Sequence, residues 1–210
     1  MASIIPAILE QDIREVEQKL NLVKNFADVA QIDICDGRFT DGKTINIEEL
    51  ENIKMQIDVE IHLMVEKPIA YFETCQKIKA KRVFWHYEAE HSVDEAMLAA
   101  RKFSFKKGIT LSPQTNISVL KKSCGCFDAV MLMGVIPGAQ GREFIADTPD
   151  KISELKLFFS GLIAVDGAVN ESNVKTLVAA GATDLAVGSA LFNAGDIYAE
   201  YEKLRRLAEN

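Results

Sequence analysis

Short apolar runs rich in Val, Ile, Leu and Ala alternate with longer stretches whose apolar positions recur at helical spacing, from one end of the chain to the other. The runs lack polar alternation, as expected of strands buried on both faces of a parallel sheet. Residues 162–192 show the rhythm most plainly. One run ends in Asp166-Gly167, a helix-like segment follows with Val174, Leu177 and Val178 on one side, and a second run ends in Gly188-Ser189. Asn170 is predicted to cap that helix.

The same unit repeats. Strands are predicted over residues 3–9, 27–34, 59–65, 82–86, 107–111 and 128–135, ahead of the two just described. Between them the spacing predicts helices over 11–23, 47–53, 68–78, 92–103, 117–121 and 148–158, with a closing amphipathic helix over 198–207. Pro68 and Pro149 suit first helical turns, and Ser92 with Glu95 has the spacing of a capping box. Eight strands alternating with helices fit a closed barrel or a doubly wound open sheet, and their even spacing favours the barrel. The first strand lacks a following GxGxxG, which argues against dinucleotide binding. Without a low-complexity linker, the expectation is a single α/β domain over residues 1–210, a (β/α)8 TIM barrel.

Composition narrows the function. The chain of 210 residues carries a formal net charge of −7, unsuited to a nucleic-acid surface but compatible with a local phosphate site. No uncharged apolar run is long enough to span a membrane, and no signal segment is visible, so the expected location is cytoplasmic. Cys35, Cys75, Cys124 and Cys126 read as reduced thiols, because the one close pair has no second pair at zinc-finger spacing.

Barrel strands converge at their C-terminal ends, where this chain places Gln31, Asp33, His62, His86, Thr110, Ser112, Asp166, Gly188 and Ser189. Gln31 and Asp33 share one strand face, and Ile32 and Ile34 take the other. Asp33, His62 and Asp166, with Gln31 as an oxygen donor, form a candidate site for one divalent ion. Zn²⁺, Fe²⁺, Mn²⁺ and Co²⁺ are all compatible with the donor types, and Mg²⁺ is possible. The competing reading has both aspartates bonded to loop amides and His62 as a satisfied core histidine. Amides near Gly167-Ala168 and Gly188-Ser189 are candidates for holding phosphate, or else form sharp turns with no ligand. His86 and Glu88 share a face and either orient His62 or make a structural pair.

These motifs together resemble the ribulose-phosphate 3-epimerase family. The resemblance runs from IIPAIL through DICDG, EIHLMV, HYEAE, TLSPQT, VMLMGVIPG and AVDGAV to VGSALF. It implies a barrel that binds a small ketose phosphate and a divalent metal and inverts C3 through an enediolate. On this chain it implies Asp33 and Asp166 as the acid/base carboxylates and as metal ligands, and His62 as a further ligand. Met64 and Met133 would pack near the reacting carbons. Gly167, Ala168, Gly188 and Ser189 would hold phosphate, with Ala7, Gly138 and Gly141 also facing substrate. A homo-oligomer, with a dimer favoured, is the implied assembly.

The departures cluster at the mouth. Gln31 replaces the family's first metal histidine, Pro6-Ala7 lacks the family's serine, and Cys35 replaces a methionine. The loops read RFTDG and PGAQG, and Arg142 replaces a glutamine, able to reach phosphate or to face solvent. An altered epimerase and a phosphosugar-binding protein without turnover are both compatible with this mixture. The DxKxxD pattern of related decarboxylases is absent, and no lysine is placed for a Schiff base.

Overall fold

The computed structural model describes residues 1–137 and 142–209. Eight parallel strands close into a barrel in sequence order: β1 Ser3–Ile8, β2 Val29–Cys35, β3 Asp58–Met64, β4 Arg82–His86, β5 Lys106–Leu111, β6 Ala129–Met133, β7 Leu162–Asp166 and β8 Asp184–Val187. The helical layer outside comprises α1 Ile13–Val23, α2 Phe72–Lys77, α3 Val93–Ala100, α4 Thr148–Lys156, α5 Val174–Ala180, α6 Ser189–Phe192 and α7 Ile197–Glu209, with short 3₁₀ turns. The expected (β/α)8 architecture is the observed one.

Strand alternation sorts the side chains into two cores. Ile32, Ile34, Ile61, Leu63, Trp85, Val165 and Leu185 point outward and pack under the helices, while Phe84, Ala129, Met131, Met133 and Ala164 pack inside the barrel. Phe84 lies opposite Gly108 in the β4–β5 register, and a Cβ at Gly108 would come within 2.2 Å of the ring. The glycine is therefore the space that lets one aromatic ring fill the barrel's waist. Below the ring, Arg82 bonds to Glu60 and, at 2.5 Å, to Asp184, with its guanidinium carbon 4.9 Å from the Phe84 centroid. Above it stands the polar mouth.

Local chemistry sets the element ends, and several differ from the sequence-based expectation. Ser92 and Glu95 make the expected capping box, and Pro149 lies in the first turn of α4. Residues 47–52 and 68–71 form 3₁₀ turns instead of α-helix. Asn170 does not cap α5. Its side chain accepts from the Ser172 amide at 2.9 Å to make a preceding turn, and the helix begins after Asn173. The three-residue shift arises because the Asn170 side chain bonds within the turn instead of with the helix's first amides. Cys35, Cys75 and Cys126 are free, the first two buried. Among the described residues no helix is long and apolar enough to cross a membrane.

Candidate active site

Inward-facing positions on β2, β3, β4 and β7 bring together the residues expected at the mouth. The register pairs Asp33 with His62 and Met133 with Asp166, all toward the C-terminal ends of their strands. His62 Nδ1 stands 3.2 Å from Asp33 Oδ1 and 3.1 Å from Asp166 Oδ2. Gln31 Nε2 donates to the same two oxygens, at 2.8 and 2.7 Å. The barrel wall buries all four side chains.

Two carboxylates this close in a dry site repel one another. Burial and the charge of Asp166 raise the Asp33 pKa above the usual range, against the opposing bonds from His62 and Gln31. Burial by itself would lower the His62 pKa, but the bonds to Asp166 and Asp33 outweigh it and raise the value to about 9. The cluster therefore collects positive charge wherever it can. Asp33, His62 and Asp166 offer ligand atoms within 4.8 Å of one another, a donor set of oxygens and one imidazole nitrogen suited to a divalent ion.

Behind His62 runs a polar chain. His62 Nε2 lies 3.0 Å from His86 Nε2, and His86 Nδ1 lies 3.4 Å from Glu88 Oε2. Burial, with the neighbouring His62 charge, drops the His86 pKa to about 4, so His86 is neutral near pH 7. A neutral imidazole with its proton on Nδ1, shared with Glu88, presents a bare Nε2 to the His62 N–H. This arrangement leaves His62 Nδ1 turned to the carboxylates. Glu88 resists burial's upward push through bonds from His86, Thr115 and the Ser112 amide, and its pKa falls to about 2. His86 and Glu88 thus both pair and orient, uniting the two alternatives read from their spacing.

The loop after β2 explains the DG pair. Asp36 accepts from the amides of Arg38, Phe39 and Glu66 at 2.8–2.9 Å, and Gly37 takes φ 72°. The resulting tight loop carries Phe39 to 4.7 Å from the His86 ring.

Above the cluster lies a cavity that opens to solvent. Asp33, Asp166, Met64 and Met133 line it, together with Ala7, Gly167, Ala168, Gly188 and Ser189. Arg142 is the one cationic side chain among the described residues of this lining. Gly167 (φ 107°) and Ala168 (φ 53°) adopt left-handed backbone, which a side chain at Gly167 would prevent because its Cβ would meet Val135 at 2.5 Å. The Ala168 carbonyl accepts from Asn170 and Asn173 side chains at 2.9 and 3.0 Å, fixing the turn. Gly138 and Gly141 lie outside the described residues.

A parallel eightfold barrel with its acidic and imidazole groups gathered at the C-terminal strand ends defines the class, a (β/α)8 barrel with its candidate active site at the mouth. Within that class the chain belongs to the ribulose-phosphate 3-epimerase family, whose model matches residues 3–192. It is 31% identical over 205 residues to ribulose-phosphate 3-epimerase of Bacillus subtilis (strain 168), covering 93% of this chain and 94% of that one. Ribulose-phosphate 3-epimerase of Aquifex aeolicus (strain VF5) is 29% identical over 215 residues, covering 99% and 97%. Among solved structures, 3-hexulose-6-phosphate synthase from Salmonella typhimurium superposes with a TM-score of 0.74 at 15% identity, over 99% of this chain and 98% of that one. That last likeness concerns the fold alone.

Proposed function

We propose that this protein is a metal-dependent ribulose-5-phosphate 3-epimerase-like isomerase, which interconverts ketose phosphates epimeric at C3. The observation that carries the reading is the pair Asp33 and Asp166. Each gives one oxygen to the buried cluster with His62 and Gln31, and each also lines the cavity above. Inversion at carbon needs a proton removed from one face and another delivered to the opposite face. Two carboxylates on separate strands at the floor of one cavity supply such a pair, one acting as base while the other returns the proton.

Asp33, His62 and Asp166 would hold a divalent ion, which supplies positive charge beside the enediolate oxygens and offsets the repulsion between the two acids. The remaining work falls to this chain's own side chains. Met64 and Met133 wall the cavity with apolar surface, keeping water from the reacting carbon. Backbone around Gly167, Ala168, Gly188 and Ser189 would receive the phosphate, with Ala7 beside the sugar and Arg142 placing a cation in a lining whose other charged groups are Asp33 and Asp166. The glycines at 138 and 141 are part of the same proposal.

Metal-stimulated C3 epimerisation of ribulose 5-phosphate, followed by chiral product analysis, is the test. The absence of turnover across pentulose and hexulose phosphates sinks the epimerase reading. A second reading, a phosphosugar-binding barrel without turnover, is favoured by Gln31, whose amide ties both carboxylates together. Calorimetric binding of ribulose 5-phosphate without product would select it. A homodimer completes the proposal, to be checked by light scattering.

A further inference from the structure

Gln31 is wholly enclosed in the barrel, and its two amide ends live differently. Nε2 bridges Asp33 and Asp166, whereas Oε1 is buried with no hydrogen-bond partner. An orphaned carbonyl in a dry interior works against stability. Apolar Leu would fill a similar volume without that cost, so the amide at this position calls for a role.

Shape and charge together suggest one. A half-turn about the last side-chain bond exchanges –NH2 and C=O with almost no change in volume. With the carboxylates alone, the observed orientation is the favourable one, because the turned amide would point a carbonyl oxygen at two anionic oxygens. With a divalent cation among them the preference reverses. The –NH2 would then face a cation, and the carbonyl oxygen becomes a donor on the fourth side of the cluster. Among the described residues no second imidazole nitrogen is free to take that place, since His86 Nε2 faces His62 and its Nδ1 faces Glu88.

We infer that Gln31 is the ion-selectivity residue of this site: its amide bridges the two carboxylates in the ion-free protein and turns to offer Oε1 when a divalent ion enters. The donor set becomes three oxygens and one nitrogen, which narrows the ordinary advantage of Zn²⁺ over Mn²⁺. Imidazole favours zinc, and carbonyl and carboxylate oxygens suit manganese and magnesium. This rests on the metal reading proposed above and goes beyond it by assigning which ions the site accepts and why.

Calorimetric titration of chelator-treated protein with ZnCl2 or MnCl2 alone, without sugar, tests it. The Zn²⁺-to-Mn²⁺ affinity ratio should rise by about tenfold or more in Gln31→His relative to the unaltered protein. Side-chain amide NMR of the unaltered protein supplies a readout that needs no variant. The Gln31 –NH2 resonances should shift strongly on saturation with a diamagnetic ion, Mg²⁺ or Zn²⁺. An unchanged ratio in a folded variant, or –NH2 resonances that stay in place at saturation, overturns the inference while leaving the metal site itself standing. If no divalent ion binds the unaltered protein, the metal reading falls and takes the inference with it.

Discussion

The barrel contains two buried polar clusters, one at each end of the Phe84 ring, and they are built on opposite plans. At the base, Arg82 sits between Glu60 and Asp184 as a permanent cation between two acids. At the mouth, Asp33 and Asp166 face each other with only an amide and a titratable imidazole between them. The base is complete as folded. At the mouth the countercharge is the His62 imidazole, which unlike a guanidinium can give up its proton, so this cluster can exchange a proton for a metal ion, whereas the base only holds strands together.

The contrast can be broken from either end. Asp166→Asn should reduce epimerisation by roughly 10²–10⁴-fold, as expected for loss of a positioned acid/base group. It should leave the midpoint of urea unfolding nearly unmoved, because it removes one of two repelling acids. Retention of normal turnover would end the two-carboxylate scheme. Arg82→Met should do the reverse, costing about 3–5 kcal/mol in unfolding by stranding two buried acids. The folded fraction should keep its kcat, and a selective loss of kcat without loss of stability would erase the distinction between the clusters.

Smaller effects sharpen the picture. Arg142→Gln should raise KM for ribulose 5-phosphate by about tenfold with kcat preserved, since a cation in the lining binds phosphate equally in ground and transition states. A KM that stays put would return Arg142 to solvent. Last, Glu88 anchors the chain behind His62 with its pKa held near 2, below the ordinary 4.5. A lowered native pKa means that the unfolded chain binds the proton more readily, so the stabilisation is present above about pH 4.5 and fades as pH falls toward 2. Urea unfolding at pH 5 and pH 3 should show a smaller drop for Glu88→Gln than for the unaltered protein.

Much of this was legible in the sequence because strand alternation is strict. Gln31, Asp33, His62 and Asp166 could be placed on one inner surface from spacing and strand order alone. The same logic, carried two or four residues toward the strand starts, finds the base: Glu60 shares a face with His62, and Arg82 with His86. It was missed because attention to C-terminal ends discards charges at N-terminal ones. Other features had no linear signature. The orientation of the Gln31 amide depends on acids from two strands, one of them 135 positions away. The start of α5 follows a turn in which Asn170 Oδ1 accepts from the Ser172 amide and hydroxyl and Asn173 Oδ1 accepts from the Asn170 amide, an arrangement that spacing along the chain does not reveal.

The single aromatic ring filling the gap at Gly108 has one more effect. It makes the molecule one-ended: anything that reaches the acids must arrive from above and leave the same way, and replacements around the opening transmit little through the stopper to the ion-paired floor. Drift at positions 7, 31, 35 and 142 can thus accumulate above a foundation that does not feel it.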